Sequence, residues 1–389
     1  MSHAFIDKLL KDFDVPKRKI LIIENSKNIT GALKSITRSS YDLNQYFDFS
    51  FIIPQSSNGK FWIINKGFAN IIELPMKELR KDIWSVITYL PYLLVNSVRL
   101  KRIVKKNNID ILHVNDVYNL LPVAIRIFGN STPYVCHFRF LPDRFPSILL
   151  AIWMKLHLRF ASSVIAVSEK VKEQLPSHPK IIVIPNELPI EERYPNVTLK
   201  RENSSRYFLY LSNFIPGKGQ NFAVEAFYRI HKLIPGWKLR LVGGDMGLEK
   251  NKKYRMELVE LAESRGIVDL IEWSDFVEDV ELEYKSADVV LNFSESESFS
   301  ITCLEAQFFG RPLIATDSGG PGEIIEHQVT GMLVPNRSVE EMSRVMLELV
   351  GDEKLRIRLA ETARSTVREK FSVQKTSYRL KAVYEKVLI

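Results

Sequence analysis

The feature that most constrains this chain is a pattern that occurs twice. Short apolar runs of strand length alternate with stretches of helix length, in two rounds divided by one polar segment. The first round holds apolar runs at 20–23, 49–53, 109–114, 134–137, 164–167 and 181–184. The second holds runs at 207–211, 237–242, 271–273, 289–293 and 312–315. Runs that are apolar throughout, rather than alternating with polar residues, fit strands covered on both faces. Strand–helix alternation then predicts parallel sheets, and the polar stretch 187–206 predicts a linker between two α/β domains with a cleft between them. Ligands of such domains gather at the carboxyl ends of the strands and in the interdomain cleft.

The length of 389 residues fits two or three domains. Residues 1–200 carry 28 Lys+Arg against 17 Asp+Glu, whereas residues 201–389 carry 26 against 29, so the two halves are built for different partners. Cys136 and Cys303 stand far apart in apolar surroundings with no metal-type spacing, which predicts buried free thiols and a reducing compartment. The first residues lack the apolar core of a signal peptide, and the longest uncharged stretch, 83–98, is shorter than the ~20 residues a membrane span needs. A cytoplasmic protein is expected. Stretch 83–98, with Trp84, Tyr89 and Tyr92, runs into the basic 99–106, and 146–161 carries Trp153, Lys155 and Arg159. Apolar residues with aromatic rings and flanking basic charge suit helices lying on an anionic membrane surface, here the inner face.

The chemistry concentrates in 294–331, where Glu297 and Glu305 flank Ser298-Phe299-Ser300 at the start of a helix-like stretch. The first turn of a helix offers unpaired backbone N–H groups, a cradle for a diphosphate, and flanking carboxylates can accept from sugar hydroxyls. Gly310-Arg311-Pro312-Leu313-Ile314-Ala315-Thr316, Gly319-Gly320, Glu323-Ile324 and Gly331-Met332-Leu333-Val334 follow in fixed register.

Together these residues resemble the donor-binding half of glycosyltransferase family 4, whose members are retaining enzymes of the GT-B fold with two Rossmann-like domains. The resemblance implies domains at 1–190 (acceptor), 207–372 (nucleotide sugar) and a linker at 191–206, with a C-terminal helix at 373–389 that packs back on the first domain. It implies donor contacts from Gly31, Lys218, Gly243, Gly244, Val277, Phe299, Ser300, Ile301 and Glu305. Glu297 and His137 would act at the transferred sugar, and Arg139 and His113 would meet the acceptor or the diphosphate. Within the pattern Glu305 suits the ribose, Glu297 the hexose, Lys218 the leaving diphosphate, and Phe276-Val277 the border of the nucleobase.

Four positions depart from the family pattern. Asn213 stands where an Arg is usual, Ser298 and Ser300 replace two glycines, and Glu187 replaces the Gly after Asn186. Serine can serve in the loop with a negative φ, so a negative φ is expected at both serines. Within the motifs no Asp-x-Asp and no His cluster with metal-ligand spacing stands out, so no metal and no cofactor are expected. The expected partners are a nucleotide-sugar donor, a glycan or lipid-linked acceptor and an anionic membrane surface; no nucleic-acid motif accompanies the basic half. The leading expectation is a glycosyltransferase of cell-surface polysaccharide or glycoconjugate synthesis. A catalytically silent nucleotide-sugar-binding partner subunit, suggested by Asn213 and the serines, and an epimerase of the same fold are the alternatives.

Overall fold

Arg18–Ile23 (β1) starts the first sheet, because RKILII is apolar on both faces from Ile20 onward and its last four residues are fully buried. The computed structural model describes residues 16–77, 83–144, 146–188, 206–277 and 279–389, with the backbone alone at 83–86 and 144. Phe47–Pro54 (β2), Ile71–Leu74 (β3), Ile111–Val114 (β4), Tyr134–Phe138 (β5), Ser163–Ala166 (β6) and Ile181–Val183 (β7) complete it. Every pairing is parallel, in the order β3-β2-β1-β4-β5-β6-β7. The strand order reverses beside β1, which opens a crevice at the carboxyl ends of β1 and β4.

The second sheet repeats this plan. Arg206–Leu211 (β8), Trp237–Val242 (β9), Ile271–Ser274 (β10), Val289–Asn292 (β11), Leu313–Thr316 (β12) and Met332–Val334 (β13) pair in the order β10-β9-β8-β11-β12-β13. Its switch point lies between β8 and β11, the strands that lead to Lys218 and Glu297. Most of the expected 191–206 linker lies outside the described residues. Glu187, at the start of the polar stretch, is buried rather than solvated, and Arg206 already belongs to β8.

The chain crosses back after the second sheet. Helix Val373–Leu388 packs on helix Gly31–Leu43 of the first domain, and Tyr384 packs edge-on against Phe47 at 5.4 Å. Ser377 Oγ donates to Asp42 at 3.2 Å on the same seam. Both cysteines are free and buried, Cys136 in β5 and Cys303 in the helix after β11.

The two segments read as membrane-facing behave differently. Helix Ile83–Asn107 runs through Pro91 and exposes Ile87, Leu90, Leu94 and Val98. In helix Ser147–Phe160, Ile148 and Ile152 are exposed, but Trp153 is buried in the core; the ring expected at an interface is instead used for packing. The Trp84 side chain lies outside the described residues. Among the described residues no helix is long and apolar enough to cross a membrane.

Candidate functional site

A cavity of about 430 Å³ lies between the carboxyl ends of the two sheets. It is lined from the first domain by Gly31, Lys34, Arg139 and Asn186, each just beyond a strand or in the helix that follows one. From the second domain come Lys218, Gly243, Val277, Glu297, Phe299, Ser300, Ile301 and Glu305. The domains already touch here. A Cβ on Gly31 would sit 3.0 Å from Ile301 Cδ1, and the Ser298 hydroxyl donates to the Arg139 carbonyl at 2.8 Å. Glu323 reaches across as well, and its carboxylate accepts the N–H groups of Glu169 at 2.9 Å and Lys170 at 2.6 Å, capping helix Glu169–Glu173 of the first domain.

Lys218 Nζ donates to Glu297 Oε1 at 2.7 Å. Both side chains are held by backbone geometry that few other residues permit. Gly219, at φ +81, would place a Cβ 2.0 Å from the Phe293 carbonyl oxygen, so only glycine lets the Lys218 loop lie against the end of β11. The Glu297 backbone is bracketed by the 318–320 loop: its N–H donates to Ser318 O at 3.0 Å, and its carbonyl accepts from Gly320 N–H at 2.8 Å. This is the structural work of the Gly319-Gly320 pair, since a Cβ on Gly320 would meet Phe299 Cα at 2.2 Å.

The helix after this loop, Ile301–Phe308, begins in the cavity with the free N–H groups of its first turn. Ser300, just before it, adopts φ +79 and ψ +86. The expectation of a negative φ is therefore wrong at this residue. The loop keeps the left-handed turn that a glycine would make, and the serine is held in it by hydrogen bonds from Asn292 Nδ2 at 3.0 Å and to Cys303 Sγ at 3.1 Å. The Phe299 ring packs against Phe371 in the core. Glu305 is partly buried one turn on, and its Oε2 accepts the Tyr284 hydroxyl at 3.1 Å. Burial raises its pKa, while the charges of Lys34 and Arg38 and the Tyr284 bond pull it down.

Asn213 occupies the position of the missing arginine, and its Oδ1 accepts the Gly244 N–H at 3.1 Å. Gly244 is thereby turned to a structural task and does not line the cavity. Gly243 does line it, and a Cβ there would lie 2.0 Å from Ser212 O, so the ends of β8 and β9 meet backbone to backbone.

The first domain presents Lys34 and Arg139 to the cavity, and Arg139 is the more deeply held of the two. Its Nε donates to Asn115 Oδ1 at 2.6 Å, Nη1 to Asn186 Oδ1 at 2.8 Å and Nη2 to His137 Nδ1 at 3.3 Å. All three acceptors are neutral. Burial lowers its pKa, and the charges of Glu187, Asp116 and Glu24 offset this. Asp116 is itself raised to about 7 by burial.

His137 and His113 stack at 4.8 Å, with His113 Nε2 2.7 Å from His137 Nδ1. His113 Nδ1 meets the Tyr384 hydroxyl of the returning helix. Since Arg139 can only donate, His137 Nδ1 is an acceptor, His113 Nε2 carries hydrogen, and Tyr384 donates to His113 Nδ1. Burial and the Arg139 charge lower His113 to about 3 and put His137 well below its usual value, so both rings are neutral at pH 7. His113 was expected to meet the acceptor or the diphosphate, but it is fully buried behind His137 and serves to orient that ring. Neither histidine lines the cavity.

Asn115, Asn186 and Tyr384 carry structural tasks here that the sequence did not assign to them. The first two follow strand ends, which is a usable signal; Tyr384 is a contact between residues 271 positions apart. Among the described residues, no three His, Cys, Asp or Glu side chains are grouped to hold a metal ion.

The profile of Glycosyl transferases group 1 matches residues 192–366, and that of Glycosyltransferase Family 4 matches residues 75–191. The N-acetyl-alpha-D-glucosaminyl L-malate synthase of Bacillus anthracis is 26% identical over 349 residues, covering 84% of this chain and 86% of that protein. A GDP-mannose-dependent phosphatidylinositol monomannoside mannosyltransferase of Mycobacterium tuberculosis is 31% identical over 166 residues, 40% of this chain and 41% of its own length. Among solved structures, Anabaena HepE in complex with UDP and glucose superposes with a TM-score of 0.79 at 19% identity, covering 95% of this chain and 100% of HepE.

Proposed function

This chain belongs to glycosyltransferase family 4 and has the GT-B fold, and on that premise we propose that it transfers a sugar, with retention of configuration, from a nucleotide-sugar donor to a glycan or lipid-linked acceptor in cell-surface polysaccharide or glycoconjugate synthesis. The observation that carries the reading is the Lys218–Glu297 pair, 2.7 Å apart, beside the first turn of helix Ile301–Phe308. A cation and a set of unpaired N–H groups meet there, as a departing diphosphate requires. Support for the donor class comes from HepE, solved with UDP-glucose, and from the GDP-mannose-dependent relative.

In this reading Lys218 and the helix N-terminus take the diphosphate and Glu305 accepts from the ribose hydroxyls. Glu297 positions the sugar and stabilises charge rather than forming a covalent bond, and the diphosphate assists departure from the same face. Arg139 lines the same cavity and supplies a second positive charge where Asn213 has replaced an arginine. That compensation favours an active enzyme over a silent partner subunit. The charge of the leaving group is met by protein groups alone, so transfer is expected to persist in EDTA.

We further propose that the protein works against an anionic membrane face. Between Asp82 and Asp110 the chain has no acidic residue, and Leu90, Leu94 and Val98 are exposed on the helix that ends in Arg102, Lys105 and Lys106. Apolar contact backed by basic charge is the combination that holds interfacial helices on anionic lipid.

Radiolabelled UDP-glucose, UDP-N-acetylglucosamine and GDP-mannose test the donor reading without a known acceptor, because slow hydrolysis releases the free nucleotide. Turnover of at least one, lost in Lys218→Ala, is the expected result. An absence of binding and turnover with all three would sink it.

A further inference from the structure

Two helices open onto the cavity, one from each domain, and they meet at their first turns. Gly31 of helix Gly31–Leu43 lies against Ile301 of helix Ile301–Phe308. One turn further along, each helix carries a charged residue that lines the cavity, Lys34 in the first domain and Glu305 in the second. The Lys34 charge acts across the domain boundary: against the burial that raises the Glu305 pKa, it pulls harder than the charge of Arg38. Arg38, a turn beyond Lys34, does not line the cavity.

Two aromatic rings place the Lys34 ammonium. It lies 5.2 Å from the ring centroid of Trp62, on helix Gly59–Asn65 of its own domain. It lies 5.7 Å from the ring centroid of Phe276, which follows β10 in the other domain. Trp62 is itself fixed, since its Nε1 donates to Thr37 Oγ1 at 2.9 Å. Phe276 is exposed on the cavity wall and is backed by Gly244, where an added Cβ would lie 3.2 Å from Phe276 Cβ. Contacts with two ring faces hold a long, flexible side chain extended across the cleft, so it loses less freedom on taking a ligand.

We propose that Lys34 is a donor-binding residue supplied by the first domain, whose ammonium donates to the ribose hydroxyl oxygens of the nucleotide while Glu305 accepts the hydroxyl hydrogens. The proposal rests on the nucleotide-sugar reading above. An ammonium can only donate and an ionised carboxylate can only accept, whereas each hydroxyl of a vicinal diol does both. Opposite charges from the two domains therefore match one diol. The diphosphate has a different cation, Lys218, paired with Glu297 beside the first turn of helix Ile301–Phe308. The ribose contact is complete only in the closed cleft, so the first domain takes part in holding the donor as well as the acceptor.

Calorimetric titration of UDP, GDP, their 2′,3′-dideoxy analogues and pyrophosphate into wild type, Lys34→Met and Lys34→Arg tests this. Lys34→Met keeps an unbranched stem and removes the charge. Affinity for the nucleotide that binds wild type should fall about tenfold in Lys34→Met, as for one lost hydrogen bond from a charged group, and return to within about threefold of wild type in Lys34→Arg. The dideoxy analogue should bind wild type at least about tenfold more weakly, with no further loss in Lys34→Met, because the partner oxygens are gone. Pyrophosphate affinity and Tm should be unchanged in Lys34→Met, which separates the ribose contact from a fold defect. Equal nucleotide affinity in wild type and Lys34→Met overturns the proposal and leaves the donor reading standing. A loss of the same size with the dideoxy analogue also overturns it, as does a parallel loss of pyrophosphate binding, which would move Lys34 to the diphosphate. Wild type that binds neither UDP nor GDP removes the donor reading and this assignment with it.

Discussion

Lys218 Nζ and Glu297 Oε1 are 2.7 Å apart, so the cation proposed for the diphosphate and the carboxylate proposed for the sugar neutralise each other before substrate arrives. A diphosphate entering the cavity has to share or break this pair. Lys218→Ala should therefore cost on the order of 10²–10³ in turnover, the scale of losing one oxyanion-type contact. The unfolding free energy should change by less than ~1 kcal/mol, because Lys218 is partly exposed. Donor hydrolysis and thermal unfolding measured on the same preparation check both halves. Wild-type turnover in the variant would remove Lys218 from the site.

Ser300 at φ +79 gives a test of stored strain. Ser300→Ala and Ser300→Gly both lose the bond from Asn292 Nδ2, so their difference isolates the backbone. The Gly variant should be about 1 kcal/mol more stable than the Ala variant. Urea denaturation of the two decides this, and equal midpoints would mean the left-handed turn costs nothing here.

Glu323 caps a helix of the other domain through the N–H groups of Glu169 and Lys170. Glu323→Ala should cost roughly 0.5–1 kcal/mol, the lower part of the capping range, because the bonds are exposed. Small-angle scattering should register a larger radius as the closed form loses population, and Glu323→Gln should restore most of it by keeping an acceptor.

The neutral His113 sets a pH dependence. Its folded pKa is lowered to about 3, below the unfolded value of ~6.5. Below pH 6.5 the unfolded chain takes up a proton that the folded chain refuses, so this contribution is complete above pH 6.5 and is lost as pH falls toward 3. Asp116, raised to about 7 by burial, works in the opposite direction. The clean observable is a difference: the stability gap between wild type and His113→Asn should widen as pH rises from 4 to 6.5 and stay level above. A gap independent of pH would mean that His113 titrates alike in the folded and the unfolded chain.

On the membrane side, Leu94→Glu combined with Val98→Glu should abolish sedimentation with phosphatidylglycerol vesicles and leave donor hydrolysis intact. Both side chains are exposed and lie outside the cavity. Equal sedimentation of the variant and wild type would exclude this face.

Both sheets were legible because β1, β4, β5, β8 and β11 are apolar on both faces, a pattern that parallel strands covered by helices impose. The edge strand β3 was missed; IIEL carries a glutamate and is only partly buried, so it offers little apolar signal. Lys218, Glu297 and Glu305 were singled out by the register of the family pattern rather than by any one residue, and all three line the cavity. The role of His113 was not legible, because its outer partner, Tyr384, enters from the other end of the chain. Nor was the φ of Ser300, since serine ordinarily avoids that region and only the surrounding bonds hold it there.

The return of helix Val373–Leu388 to the first domain has a consequence for how the protein is made. Tyr384 fills the space between Phe47 and Phe49 and orients His113, yet it is synthesised after the whole second sheet. On the ribosome the first domain emerges early and must wait with that face of its core open. The second domain is finished before the first, whose core closes only when helix Val373–Leu388 arrives.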